Sequence, residues 1–156
     1  MTHILARANE LPKVVQTEEQ DGIARLEDYL EVIYHLIHDK GYASTVDIAE
    51  SLRVKPPTVS SMLQRLAARE FIVHEPYRGI RLTDKGAKIA KSVIARHNIV
   101  FELLLMLGVD NDVAYQDTEG IEHHIQPETI GRIEGLVEFL RKDPDLVRAI
   151  RNHIEK

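Results

Sequence analysis

Residues 56–82 read PPTVSSMLQRLAAREFIVHEPYRGIRL, a helical pattern followed by two short apolar runs. The two prolines at its start suit the first turn of a helix, where proline is tolerated. Val59, Leu63 and Leu66 then recur at spacings of four and three, which predicts a helix with these three side chains buried. The apolar runs behind it predict two short strands, with residues 75–79 turning between them.

Two more helices are predicted before this stretch. The first runs from Leu26 until Gly41 ends it, and the second is capped by Ser44 or Thr45. Their inward positions are predicted to be Leu26, Leu30, Ile33, Leu36 and Ile37 in the first helix and Val46, Ile48, Ala49 and Leu52 in the second. Helix, short helix, turn, helix and two-stranded ribbon is the order of a winged helix-turn-helix.

The remainder of the chain is predicted to be helical. A long helix begins at Asp84 behind the cap Thr83 and runs towards Leu107, and shorter helices are predicted at 112–125, at 127–143 and from residue 144 onwards. The fold class is therefore mainly α, with an N-terminal winged helix-turn-helix followed by an all-helical domain. The predicted division is a flexible extension at 1–24, a DNA-binding domain at 25–83 and a helical domain at 84–156.

Composition excludes several classes of protein. The chain has no cysteine, which rules out disulfides, thiolate zinc sites, iron–sulfur clusters and a cysteine nucleophile. Aromatic residues make up 5% and tryptophan is absent, which argues against stacking platforms for single-stranded nucleic acid. No run approaches the roughly 18 apolar residues of a membrane span, and the N-terminus reaches a charge before signal-peptide length. We expect a cytoplasmic protein with no membrane partner.

The charge of the chain is unevenly distributed. The net charge is −5 overall, yet residues 40–92 hold ten Lys/Arg against five Asp/Glu, a local charge of +5. The rest of the chain then carries −10. A basic block in an acidic protein indicates a surface that meets phosphate.

The helix that begins at Pro56 carries polar side chains beside its buried stripe. Those able to bond base edges or phosphates are Thr58, Ser60, Ser61, Gln64 and Arg65. Lys55 and Arg78 are placed to meet the flanking phosphates, and Tyr77 lies in the same ribbon turn. Such a face is also compatible with simple solvation, so the ribbon and the local charge carry the prediction of DNA contact. One recognition helix buries little DNA, so we expect a homodimer on a palindromic double-stranded operator.

Acidic residues and histidines recur at helical spacing in two predicted helices, and a single histidine lies among apolar residues in a third. Positions i, i+3 and i+4 share one face, and the candidates are Asp28 and Glu31 in the first helix, His97 in the long helix, and Glu119, Glu122 and His123 in the next. Singly, each has an ordinary explanation, because paired carboxylates are commonly solvated and a lone histidine commonly packs in a core. Burying all of them without a cation would cost several kcal/mol each, so together they predict a metal site.

Seven segments, in order and without large gaps, resemble one family over about residues 25 to 140. They are LEDYLE (26–31), KGYA (40–43), VDIAE (46–50), YRG (77–79), LTDKG (82–86), RH (96–97) and DTEGIEHH (117–124). On these segments the chain resembles the diphtheria-toxin-repressor family of metal-dependent repressors, and within it the manganese transport regulator branch.

The resemblance implies a Mn2+-activated DNA-binding regulator, expected to repress manganese homeostasis genes, whose metal locks the dimer in a DNA-competent arrangement. It implies that residues 84–156 form a dimerisation and metal-binding domain. It also implies two Mn2+ ions per subunit, held by Asp28, Glu31, His97, Glu119, Glu122 and His123. The iron-responsive branch has methionine at the position of Asp28 and cysteine at that of Glu119. The oxygen donors here suit Mn2+, with Fe2+, Zn2+ or Cd2+ as possible substitutes.

Three other functions were weighed against this one. A Fe2+-responsive repressor of the same family remains open, because ligand types alone do not separate Mn2+ from Fe2+. A winged-helix repressor with an organic effector leaves the carboxylate clusters unexplained. A carboxylate metalloenzyme is disfavoured, because the paired Glu-x-x-His and the His-Glu-x-x-His patterns are both absent. We therefore expect neither an enzyme nor a small-molecule substrate.

Overall fold

The computed structural model describes residues 18–75 and 79–155, with side chains given from Arg25 onward except that of Glu75. Its elements, in order, are α1 (Glu18–Lys40), α2 (Thr45–Leu52), α3 (Pro56–Ala68), β1 (Ile72–Glu75), β2 (Gly79–Leu82), α4 (Asp84–Met106), α5 (Asn111–Ile121), a 3₁₀ turn (Glu122–His124), α6 (Pro127–Arg141) and α7 (Pro144–Ile154). The mainly α architecture with an N-terminal winged helix-turn-helix is confirmed. No helix within the described ranges is long and apolar enough to cross a bilayer.

The N-terminal half has one apolar core beneath α1. Its fully buried members come from four elements and include Leu30, Ile33, Ile48, Val59, Leu66 and Ile80. The strands β1 and β2 pair antiparallel from Ile72↔Leu82 to Glu75↔Gly79. An isolated bridge between Ala43 and Ile80 ties the root of this ribbon to the loop after α1.

One predicted inward position is wrong, a second lies at the edge of its buried stripe, and helix geometry explains both. Val46 is 59% exposed, because it lies about 200° around the helix from the buried Ile48 at 100° per residue. In α3 the third buried side chain is Met62, while Leu63 is only partly buried. Val59, Met62 and Leu66 follow the spacing of three and four, so Leu63 falls on the edge of the stripe.

Several helix boundaries differ from the predicted ones. The first helix includes residues from Glu18 onward rather than from Leu26. The predicted flexible extension therefore covers the first turns of α1 and residues 1–17, which lie outside the described residues. The helix predicted at 112–125 ends at Ile121 and continues as a 3₁₀ turn.

The second half packs around α4, which contacts α1, α5 and α6. Its core includes Val93, Val100, Ala114 and Val137, all buried. The C-terminal end of α4 is capped from α7, where Arg151 Nε donates to the carbonyl of Met106 at 2.8 Å. Helix α4 therefore connects both halves along its length.

The start of α4 is fixed to the backbone that precedes β1. The Thr83 hydroxyl donates to the Glu70 carbonyl at 2.7 Å and accepts from the Gly86 amide at 3.1 Å. Gly86 is buried, and a Cβ built on it would lie 2.0 Å from the carbonyl oxygen of Phe71. Only glycine allows this approach, because a backbone carbonyl has little freedom to move away.

We predict that Gly86→Ala lowers the free energy of unfolding by about 1–3 kcal/mol, because the added methyl overpacks the junction. Urea denaturation followed by circular dichroism, at one fixed protein concentration, measures the change. The control is Gly131→Ala in α6, where an added Cβ meets nothing within 4 Å. It should be neutral or stabilising by up to about 1 kcal/mol, since alanine favours a helix. Equal stability of Gly86→Ala and the wild type would contradict the close contact.

Candidate metal centre and DNA-facing surface

Four elements bring the predicted metal-binding residues to one place between the two halves. Asp28 and Glu31 lie one turn apart on α1, and His97 lies mid-way along α4. Glu119 is in the last turn of α5, while Glu122 and His123 are in the 3₁₀ turn. In the 3₁₀ turn, Glu122 faces the imidazoles of His97 and His123, and His123 faces the carboxylate of Asp28.

His97, Glu119 and Glu122 form the tightest part of the cluster. Nδ1 of His97 lies 2.9 Å from Oε2 of Glu122 and 3.2 Å from Oε1 of Glu119. Ligand atoms of all three residues lie within 4.8 Å of one another. This is the spacing that one bound cation requires of its ligands.

His123 forms the second part of the cluster. Its Nε2 lies 2.8 Å from Oδ1 of Asp28 and 3.4 Å from Oε1 of Glu122. The two oxygens of Glu122 therefore face two different imidazoles, Oε2 towards His97 and Oε1 towards His123. Glu122 could therefore serve as a ligand together with either imidazole.

Glu31 approaches the cluster without an ion pair to its histidines among the described contacts. Its carboxylate lies 3.7 Å from His35 Nε2. Burial raises the pKa of Glu31, and the negative charges of Glu122 and Glu119 raise it further. The structure thus places Glu31 within the electrostatic field of the cluster, at its edge.

The cluster fits a cation because its buried polar atoms are poorly satisfied. Glu122 is completely buried, and neither of its oxygens has a hydrogen-bond partner. Nδ1 of His97 also lacks one, although the carboxylates are near, because the close contacts are not aligned as hydrogen bonds. Buried carboxylate oxygens without partners are costly, and a divalent cation would satisfy them.

Protons neutralise part of this charge when no metal is bound. Glu119 and Glu122 raise the pKa of His97 to about 10. Burial lowers the pKa of His123, but the contacts with Asp28 and Glu27 outweigh it and raise the value to about 10. Both imidazoles are therefore charged at neutral pH. These two positive charges lie beside the same carboxylates that would bind metal ions.

Sequence reasoning missed two residues beside the cluster, Glu27 and Arg96. Oε2 of Glu27 lies 2.5 Å from Nη2 of Arg96 and 2.7 Å from Nδ1 of His123. Burial raises the pKa of Glu27, but the hydrogen bond from His123 and the charge of Arg96 outweigh it, so the net shift is downward. In the sequence each residue is an ordinary charge next to a candidate ligand, at a position typical of a solvated helix face.

The predicted DNA-contacting side chains of α3 form an exposed surface. Those that the structure leaves exposed are Lys55, Thr58, Ser60, Ser61, Gln64 and Arg65. Tyr77 and Arg78 lie outside the described residues. Arg25 of α1, which sequence reasoning missed, lines the same concave surface as Thr58 and Arg65. Helix α1 therefore contributes to this surface and, one turn later at Asp28, to the metal cluster.

Two family models together match most of the chain. The iron-dependent repressor N-terminal DNA-binding domain matches residues 23–80, and the iron-dependent repressor metal-binding and dimerisation domain matches residues 83–147. The HTH-type transcriptional regulator MntR of Geobacillus thermodenitrificans (strain NG80-2) is 45% identical over 127 residues, covering 81% of this chain and 90% of that protein. MntR of Bacillus subtilis (strain 168) is 47% identical over 118 residues, covering 76% and 83%.

Solved structures agree with the sequence relatives. The manganese regulator SloR is similar with a TM-score of 0.67 and 28% identity over 73% of this chain. ScaR with bound Zn2+ is similar with a TM-score of 0.64 and 28% identity over 73% of this chain. The present chain spans about half of each of those chains, 54% in both cases.

We predict that divalent metal binding releases protons. Below their pKa of about 10 the imidazoles of His97 and His123 are protonated, whereas a metal-bound imidazole nitrogen must be free of its proton. Metal affinity should therefore rise as the pH rises through the neutral range. Isothermal titration calorimetry in two buffers of different ionisation enthalpy measures the protons released.

The control for this experiment is His38→Gln. His38 is an exposed histidine of α1 paired with Asp39, so its replacement should leave proton release unchanged. A metal-binding enthalpy that is independent of the buffer would contradict the prediction.

Proposed function

The chain belongs to the family of iron-dependent repressors, and from that membership we propose that it is a Mn2+-activated repressor of manganese homeostasis genes. Like its relatives, it is a DNA-binding transcriptional regulator and not an enzyme. Two MntR relatives near 45% identity and the similarity to a manganese regulator support Mn2+ as the effector. Because its function is to bind DNA, we assign it to the cytoplasm.

The proposed metal site uses Asp28, Glu31, His97, Glu119, Glu122 and His123 as ligands of two Mn2+ ions per subunit. The observation that carries this assignment is Glu122, which is fully buried with one oxygen beside each of two imidazoles. Four carboxylates and two imidazoles form a mostly hard donor set, which suits Mn2+. When bound, the metal supplies the positive charge that these carboxylates lack.

Metal selectivity is the finer part of the proposal. Fe2+ shares the preference for such ligands and is the alternative effector. Zn2+ generally binds more tightly than Mn2+ at a given site, so selectivity depends on geometry and on metal availability. The similar protein ScaR has been solved with bound Zn2+ and with bound Cd2+, which supports both ions as substitutes in this chain.

The proposed mechanism follows from where the ligands lie. Asp28 and Glu31 are on α1, whose apolar side belongs to the DNA-binding core, while His97 and Glu119 belong to the dimerisation half. Without metal, the two imidazolium ions neutralise only part of the charge of the carboxylates, and the remaining repulsion loosens this junction. A cation held by Asp28 and Glu31 on one side and by His97 and Glu119 on the other would fix the angle between the halves, and with it the spacing of the two recognition helices in a dimer. That spacing must match operator half-sites about one helical turn apart, so metal acts by shifting a population towards the binding-competent arrangement.

We predict that Asp28→Ala and Glu122→Ala abolish Mn2+-dependent DNA binding while the protein stays a folded dimer. Fluorescence anisotropy of a labelled palindromic operator, titrated with Mn2+ and then with Fe2+, measures the response. The control is Asp39→Ala, since Asp39 is an exposed carboxylate on the same helix and its removal should leave the response intact. A full Mn2+ response in both ligand variants would exclude the proposed site. Wild-type binding that is indifferent to metals would favour an ordinary winged-helix repressor.

We predict different effects for two substitutions on the surface of α3. Gln64→Ala should weaken binding to the operator by about 1–3 kcal/mol and relax base preference at one position, because glutamine reads base edges. Lys55→Ala should weaken binding to all sequences alike and reduce the salt dependence by about one phosphate contact. Titrations at several salt concentrations, on operator and on unrelated DNA, separate the two. Lys142→Ala, at the exposed end of α6, is the control. If both substitutions act identically, the assigned roles are wrong.

A further inference from the structure

One imidazole is held on both sides by two consecutive residues of α1. Nδ1 of His123 lies 2.7 Å from Oε2 of Glu27, and its Nε2 lies 2.8 Å from Oδ1 of Asp28. Asp28 faces the cluster, whereas Glu27 also contacts Arg96 of α4. The two nitrogens of His123 therefore have different partners, and only Nε2 is directed at the carboxylates proposed to hold metal.

We propose that Glu27 and Arg96 are a positioning pair for His123, which keeps its proton on Nδ1 and its Nε2 free to bind metal. The acceptor Glu27 lies 2.7 Å from Nδ1, closer than the donor Nη2 of Arg96 at 3.3 Å. This favours a proton on Nδ1 and fixes both the tautomer and the plane of the ring. Metal-bound histidines generally donate their other nitrogen to such a partner. The inference rests on the proposed metal site, which it deepens by two residues.

Arg96 holds Glu27 in this role. Its Nη2 lies 2.5 Å from Oε2 of Glu27, and the two side chains are only 18% and 19% exposed. Without the guanidinium, the carboxylate of Glu27 would add another negative charge to a crowded acidic cluster. With it, Glu27 is neutralised from outside and stays on the Nδ1 side of the ring. Arg96 comes from α4 and Glu27 from α1, so the pair also joins the two halves independently of metal.

The pair acts on one half of the cluster. Glu27 contacts His123, while His97 is held by Glu119 and Glu122. Loss of the pair should therefore weaken the metal position that uses His123 and leave the one that uses His97. A merely structural ion pair would weaken both positions through general loosening, or neither.

The test compares Glu27→Gln with a matched control, Glu102→Gln. Glu102 lies on α4 and is also a carboxylate paired with an arginine, through two contacts with Arg141 of α6. Mn2+ titration followed by the electron paramagnetic resonance signal of free Mn2+ should show two steps in the wild type. In Glu27→Gln one step should weaken by roughly 10- to 100-fold, the usual effect of removing such a partner. Glu102→Gln should match the wild type.

A second readout follows the ring itself. Nitrogen-15 spectra of histidine-labelled protein loaded with Zn2+ should place the proton of His123 on Nδ1 in the wild type, and this preference should weaken in Glu27→Gln. Arg96→Lys retains a positive charge and should bind better than Arg96→Met. Circular dichroism confirms that each variant is folded.

The outcomes distinguish the two proposals. Wild-type affinities for both ions in Glu27→Gln, or a weakening shared equally by both steps, would overturn the positioning role alone. A wild-type protein that binds no Mn2+ in the same titration would overturn the proposed function as well.

Discussion

The carboxylate of Glu122 has no exposed surface, and it lies between imidazoles from two different elements. An ionised carboxylate is stable in such a place only with positive charge on it, because desolvation costs several kcal/mol. His97 of α4 and His123 of the 3₁₀ turn supply this positive charge beside the two oxygens of Glu122. The cluster extends to α1 because His123 also contacts Asp28 of that helix. The relation between the two halves of the molecule thus depends on one buried negative charge and on what neutralises it.

Helix α1 shows how that charge can influence a distant surface. Its apolar residues Leu30 and Ile33 are fixed in the DNA-binding core, so the helix moves with that domain. Its acidic residues reach the cluster, and Arg25 lies beside the recognition helix. Side chains of α1 and α3 share this core, so the helix that carries Asp28 is connected to α3 by packed residues. Close packing transmits displacement because the interior has few voids to absorb it.

The sequence predicted most of the fold because its signals are local. The prolines before α3, the cap Thr83 and the apolar spacing of α1 each act within a few residues. Boundaries were less accurate, as at Ile121, where the α-helix tightens into a 3₁₀ turn within a sequence that remains compatible with helix. The prediction placed Leu63 rather than Met62 in the buried stripe of α3, because adjacent apolar residues differ by only 100° around a helix.

The candidate site was predictable in its members and less so in their arrangement. Helical spacing identified Asp28 and Glu122, and apolar neighbours identified His97. The structure brings these residues into one cluster, while Glu31 lies at its edge. Their role as ligands stays a prediction. Glu27 and Arg96 were not predicted, because their contact joins residues 69 positions apart. No local pattern separates a charge buried by such a contact from one in water.

Because the first turn of α4 is held at Gly86, a rotation about that residue displaces the C-terminal end of the helix most. The helix has 23 residues, about 35 Å at 1.5 Å per residue, and its first turn is pressed against the carbonyl of Phe71. A tilt of about ten degrees about Gly86 would move the C-terminal end of α4, about 30 Å away, by about 5 Å, and the level of His97 by about 3 Å. Contacts of a few ångströms at His97, mid-way along α4, therefore need to prevent only a small displacement in order to limit a larger one at the C-terminal end of the helix.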